Sequence, residues 1–256
     1  MYNKSSATTL PSRLRLLSFN VQAGVGTERY RDYVTKSWRH VLPDKRSMEN
    51  LKQIGHFLRQ FDIVALQEVD GGSIRSQFVN QVEYLAKCGN FPYWYQQLNR
   101  NLGKFAQHSN GLLSHHRPIT IHEHKLPGII PGRGAILVKL GNETNPLVLI
   151  LMHLALGRRA RDQQIHYVAE LAAQHEHVVL MGDMNCPGEM LLKSPYLKDS
   201  KLRLAHDATK TFPSWSPQKD LDHFLVSPSV HIEQAHVYPA NFSDHLPIAI
   251  DIRLGD

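Results

Sequence analysis

Four apolar runs in this 256-residue chain each close on a polar side chain of the kind that binds ions or moves protons. "LRLLSFN" ends on Asn20, "DIVALQE" on Glu68, "LVLILMH" on His153 and "VVLMGD" on Asp183. Short runs rich in branched aliphatic residues read as buried strands. A single polar strand end is explained by its reaching water. Four are better explained by convergence, because strand ends are rigid positions from which side chains meet at a shared site. A carboxamide, carboxylates and an imidazole brought together suit the binding of a metal ion and a phosphate.

The remaining pattern predicts the layers. Helical spacing places helices over 48–61, 76–89 and 159–175, and further strands over 110–115, 135–141, 221–227, 231–238 and 246–254. Strands outnumber helices but alternate with them early, which predicts α/β layering with two sheets. There is no glycine-rich dinucleotide fingerprint after a strand and no P-loop, which disfavours the nucleotide-cofactor folds. With no repeat or long linker, residues 1–12 read as a flexible tail and 13–256 as one domain. Two cysteines, Cys88 and Cys186, make no disulfide framework and suit a reducing compartment. The first residues lack the apolar core of a signal peptide, and "PLVLILMHLAL" is too short to span a bilayer. The expected location is therefore cytoplasmic, without stable membrane insertion. Nothing in the sequence specifies an oligomeric state.

Several polar motifs refine the site. In "GDMN" an extended chain would put Asp183 and Asn185 on one face, against the competing reading that Cys186-Pro187-Gly188 begins a turn. "NFSDHLPIAIDI" sets Asp244 beside His245, and "KDLDHFLVS" sets Asp222 before a strand. A carboxylate near an imidazole can fix its tautomer and raise its basicity. The formal net charge of +6 favours anionic partners, nucleic acid among them. "GRRARDQQ" puts Arg158, Arg159 and Arg161 at the positive end of a helix dipole, where cations are mildly unfavourable. A phosphate-bearing substrate explains them, and a solvated basic turn does so equally. Segment 27–46 mixes Tyr30, Tyr33 and Trp38 with Arg31, Lys36 and Arg39, which suits nucleic acid, a lipid surface or ordinary packing. Arg75, after the Gly71-Gly72 turn, either reaches the site or pairs with a surface acid. His122 and His124 lack a third ligand to complete a zinc site.

Seven motifs in order, "LSFNV", "ALQEVD", "NGLLS", "HLALG", "GDMN", "LDHFLVS" and "SDHLPI", resemble the endonuclease/exonuclease/phosphatase superfamily over residues 14 to 254. The bacterial-type members with "EVDGGSIRS"-like loops have mostly unassigned substrates. The resemblance implies an α/β four-layer sandwich of two packed mixed β-sheets flanked by helices. It implies a phosphoester hydrolase using Mg²⁺ or Mn²⁺, with Glu68 the main ligand and Asn20, Asp222 and Asp244 around the metal. Asp222 is either a second ligand or a hydrogen-bond partner. Asp183 would orient or deprotonate water, and Asn185, Asn20, Asn110 and His153 would hold the phosphate. His245 would act as base or charge stabiliser with Asp244 behind it. The leading expectation is a phosphodiesterase or nuclease. The alternatives are a phosphatase or sphingomyelinase-like lipid phosphodiesterase, and a non-catalytic nucleic-acid or anion-binding protein on the same scaffold.

Overall fold

The computed structural model describes residues 9–24, 45–101, 103, 106–129, 131–206 and 209–254. Segment 27–46 falls outside the described residues except for its last two positions, where a helix begins. One sheet is built from β1 (Arg13–Asn20), β2 (Ile63–Asp70), β3 (Tyr93–Asn101), β4 (Gln107–Ser114), β11 (Val230–Val237) and β12 (Ile248–Leu254), in the order β11-β12-β1-β2-β4-β3. The other contains β5 (Thr120–Lys125), β6 (Gly134–Gly141), β7 (Pro146–His153), β8 (His177–Asp183), β9 (Arg203–Leu204) and β10 (Asp222–Val226), in the order β5-β6-β7-β8-β10-β9. Each sheet is mixed: β1–β2 and β7–β8 are parallel pairs among antiparallel neighbours.

Alternation along each strand sorts the side chains between two environments. In β1, Leu14 and Leu16 enter the core between the sheets, while Leu17 and Phe19 meet helices α1 (Lys45–Leu58) and α2 (Gln81–Gly89). In β7, Leu147, Leu149 and Leu151 face the first sheet, whereas Val148 and Ile150 meet helix α3 (Arg158–Ala172). The result is the expected sandwich: helices, sheet, sheet, helix. Each fully buried Leu or Ile side chain contributes about 1.5–3 kcal/mol, so the inter-sheet core sets the register of all the strands that share it. Among the described residues no helix is long and apolar enough to cross a membrane.

Two sequence expectations shift. The helix expected over 76–89 starts at Gln81, because the Asn80 side chain caps it by accepting from the Val82 and Glu83 amides. The preceding loop is held instead by Asp70, whose carboxylate accepts from the Gly72 and Ser73 amides and the Ser73 and Ser76 hydroxyls. Strand β3 was not expected, since "YWYQQLNRN" carries glutamines and asparagines where an apolar face would be.

The β7–β8 ladder allows no side chain at Gly182, which has a φ of 150° and pairs with Met152 on one side and His223 on the other. A Cβ there would collide with the Met152 carbonyl oxygen. Gly182→Ala is expected to lower stability by at least about 3 kcal/mol, measured from the urea unfolding midpoint. A loss within about 0.5 kcal/mol would contradict this placement of the ladder.

Candidate active site

The parity that fills the core also builds the site. Continuing the inward series of β1 by two steps gives Ser18 and Asn20, that of β7 gives His153, that of β8 (Val179, Met181) gives Asp183, and that of β10 (Val226, Phe224) gives Asp222. Asn110 follows the same rule before Leu112 in β4. One end of the apolar core is therefore roofed by a polar layer, drawn from both sheets.

Glu68 breaks the parity. Val64 and Leu66 of β2 face the helices, so regular alternation would send residue 68 the same way. A bulge lies between Leu66, which pairs with Gly111, and Val69, which pairs with Ser109. Gln67 stays buried against Ser18, while Glu68 takes a φ of 56° and lines the cavity beside Asn110 and His153. A left-handed glutamate at a bulge is a strained backbone kept where a side chain must be re-aimed.

The layer is joined by hydrogen bonds. Asp183, 2% exposed, accepts from Asn20 Nδ2 at 3.1 Å and from the Asn185 amide at 3.0 Å. His153 Nε2 lies 3.4 Å and His245 Nε2 3.9 Å from Asp183 Oδ2. His245 Nδ1 meets Asp222 Oδ2 at 2.8 Å, and the Thr211 hydroxyl donates to the same oxygen at 2.5 Å. The order Thr211, Asp222, His245, Asp183, Asn20 thus runs across both sheets, by hydrogen bonds except at the 3.9 Å ion contact between His245 and Asp183.

Burial shapes the charges. Desolvation raises the Asp183 carboxyl to about 7 against the His245 charge, with Asp222 adding to the rise. Burial works against charging His245, but Asp222 and Asp183 prevail and raise it to about 10. His153 is held well below the usual imidazole range by burial and by the nearby Arg133, His245 and His108 charges. Burial, with Glu68 nearby, raises Asp244 to about 6 against the His245 charge. The site therefore pairs one charged imidazole with one neutral imidazole.

Several expectations are revised. Asp244 does not back His245. Its carboxylate accepts from Gln22 Nε2 at 2.9 Å and the Ser243 hydroxyl at 3.1 Å, and Asp222 holds the imidazole instead. Asp222 makes the hydrogen bond expected of a partner to His245. Asn185 does not share a face with Asp183, because the strand ends there and Asn185 turns to a φ of 52°. Its Nδ2 donates to the Leu154 carbonyl at 2.9 Å. Arg161 is buried and donates to the Ala155 and Leu156 carbonyls, so it braces the loop rather than facing substrate. Arg158 and Arg159 do line the cavity. Asn110 lies inside a strand rather than in a turn, with its Nδ2 on the Gly134 carbonyl at 2.9 Å. Arg75 sits in a 3-10 turn, and its side chain lies outside the described residues.

Sequence reasoning missed Arg133, Thr211 and Gln22. Arg133 lines the cavity, and burial lowers its pKa against the attraction of Glu68 and Asp183. Its only signal is an arginine between glycines just before a strand, "GRG".

The residues fit a hard divalent cation. Glu68, whose side chain is 36% exposed, opens into the cavity, and among the described residues its one ionic neighbour within 4.0 Å is His153, which burial keeps neutral. Its oxygens are thus unspent, Asp244 lies near enough to feel its charge, and Asn20 offers an amide oxygen. Asp183, Asp222 and His245 also bring ligand-type atoms within 4.8 Å of one another. Asp222 there already accepts from His245 and Thr211, and Asp183 from Asn20 and the Asn185 amide, so a cation among them would compete with hydrogen bonds that Glu68 does not make.

The sequence model of the Endonuclease/Exonuclease/phosphatase family matches residues 17–245. No curated protein matches the chain. An endonuclease/exonuclease/phosphatase from Beutenbergia cavernae DSM 12333 superposes with a TM-score of 0.72 at 19% identity, covering 96% of this chain and 72% of that one. A family protein from Bacteroides thetaiotaomicron gives 0.73 at 15% identity, over 96% of this chain and all of its own. ANGEL2, described as a 2',3'-cyclic phosphatase, gives 0.67 at 12% identity over 94% and 95%. At these identities the likeness shows a shared fold.

The Asp222–His245 pair generates a direct test. Asp222→Asn is expected to lower kcat on bis-p-nitrophenyl phosphate by at least about 10²-fold, with the circular dichroism spectrum unchanged. A change under about threefold would leave Asp222 as a structural contact only.

Proposed function

Because the chain belongs to the Endonuclease/Exonuclease/phosphatase family, whose members hydrolyse phosphoester bonds, we propose that it is a divalent-cation-dependent phosphodiesterase in which water attacks phosphorus directly. The observation that carries this reading is the polar layer itself, in which the Thr211–Asp222–His245–Asp183–Asn20 series meets Glu68, His153 and Arg133 at the cavity.

Attack of water on phosphorus forms one P–O bond, breaks the P–O bond to an alkoxide and releases one proton from the water. Asp183, aligned by Asn20 and the Asn185 amide, is the acceptor for that proton. His153, held neutral, keeps an N–H to donate to a phosphoryl oxygen without adding charge. His245, kept charged by Asp222, faces the same oxygens as a fixed cation. Arg133 adds a guanidinium on the cavity side. A Mg²⁺ or Mn²⁺ ion held by Glu68 with Asp244 and Asn20 would neutralise phosphoryl charge and stabilise the departing oxygen.

The cavity arginines and the net charge of +6 support an anionic substrate, nucleic acid included. One observation favours a second reading, a small or lipid-borne diester. The two most exposed large hydrophobic residues described, Ile129 at 89% and Leu156 at 75%, both line this cavity. A non-catalytic anion binder needs arginines but not a buried Asp–His–Asp series aimed at them.

Treatment with EDTA followed by dialysis is expected to abolish hydrolysis of bis-p-nitrophenyl phosphate, and Mg²⁺ or Mn²⁺ to restore it. Glu68→Gln should shift the metal requirement upward by at least about tenfold, so that excess metal recovers part of the rate. Full activity after chelation would overturn the reading.

A further inference from the structure

Most described arginine side chains have a partner. Arg13 and Arg253 pair with Glu233, Arg15 with Asp251 and Arg158 with Asp162. Arg59, Arg161 and Arg203 donate to backbone carbonyls, and Arg117 is also engaged. Three described arginines, Arg100, Arg133 and Arg159, make no side-chain hydrogen bond or ion pair, and all three line the cavity beside Glu68 and His153. They come from different elements: β3, the loop before β6, and the first turn of α3. Their convergence is therefore a product of the fold and not of one basic stretch.

The cavity holds about 710 Å³, within the range that accepts a whole small ligand rather than one phosphate. Guanidinium groups bind phosphate through paired N–H donors, and these have no acceptor among the described residues. Among the described residues no aromatic side chain other than His108 and His153 lines the space, so it lacks the stacking platform with which proteins hold nucleobases. Its apolar lining is aliphatic, with Ile129, Leu156 and Pro131.

We propose that this cavity is a second-anion subsite: Arg100, Arg133 and Arg159 take a phosphate beyond the scissile one, carried on an aliphatic polyol rather than on a nucleobase. The proposal rests on the phosphodiesterase reading for the position of the scissile group. The polyol phosphate is either a free ester or the head group of an anionic lipid, in which case Ile129 and Leu156 meet the bilayer.

Binding and turnover test it separately. Calorimetry on the full chain with glycerol 1,3-bisphosphate and glycerol 1-phosphate should show the bisphosphate binding at least about tenfold more tightly. In the Arg100→Ala/Arg159→Ala double variant, both sites being exposed, that ratio should fall toward one. With Mg²⁺ present, kcat/KM for glycerophosphoglycerol phosphate should exceed that for glycerophosphoglycerol by a similar factor, and the factor should shrink in the variant. Repeating the pair with phosphatidylglycerol phosphate and phosphatidylglycerol in phosphatidylcholine vesicles distinguishes the sources: a larger gain on vesicles assigns a lipid, an equal gain a soluble ester. Equal binding of the two glycerol phosphates, or a ratio unchanged in the variant, overturns the subsite while hydrolysis of bis-p-nitrophenyl phosphate still upholds the phosphodiesterase reading. Selective bisphosphate binding without hydrolysis of any diester upholds the subsite and removes that reading. A greater gain from adding a 5′-phosphate to a thymidine dinucleotide than to the glycerol diester would also overturn it, in favour of nucleic acid.

Discussion

The side chains facing between the two sheets recur every second residue, and the site depends on that repeat. The inward series in β1, β7, β8 and β10 are apolar within the core and turn polar at the site end, with Ser18 and Asn20, His153, Asp183 and Asp222. A register slip of one residue would send these groups to the helix side and bring helix-facing residues inward. The hydrophobic burial that fixes register is thus the same force that fixes catalytic geometry. The strand-borne part of the polar layer is the last row of the core, and Thr211, Asp244 and His245 join it from loops.

That economy has an electrostatic cost. Asp183, Asp222 and Asp244 are buried within a small volume near Glu68, and burying several carboxylates is unfavourable unless each finds donors or cations. The structure answers with hydrogen bonds to Asp183 and Asp222, a charged His245 between them, and Gln22 on Asp244. Glu68 receives no comparable partner among the described residues, which leaves it for a metal ion. On the cavity side the imbalance reverses sign, with unpaired arginines awaiting an anion. The proposed metal on one wall and the proposed phosphate-bearing ligand on the other would complete both halves.

The parts of this arrangement visible in the sequence are those governed by period and run length. Aliphatic runs ending in polar residues revealed the strands and their convergence, because alternation is a local property. Features set by backbone departures from alternation were not visible. The bulge that re-aims Glu68 and the left-handed turn at Asn185 each change a side chain's direction without changing composition. Partner choice was also hidden: Asp244 is adjacent to His245 in sequence, yet Asp222, 23 residues away, reaches its Nδ1. Arg133 could not be separated from a surface arginine, since its burial and its place beside Glu68 in the cavity arise only from the fold. Edge strand β3 escaped notice because its inward Gln97 hydrogen-bonds the Ala135 carbonyl across the sheets, so it carries an amide where an aliphatic was expected.

The central claim is that the roof of the inter-sheet core holds a metal through Glu68 while Asp222 keeps its hydrogen bond to His245 beside Asp183. Anomalous diffraction from crystals soaked in Mn²⁺ measures this directly. The account predicts a manganese peak ligated by Glu68 on the cavity side, with the Asp222–His245 contact retained and the peak lost in Glu68→Gln. A peak seated among Asp183, Asp222 and His245, with Glu68 unligated, would contradict it.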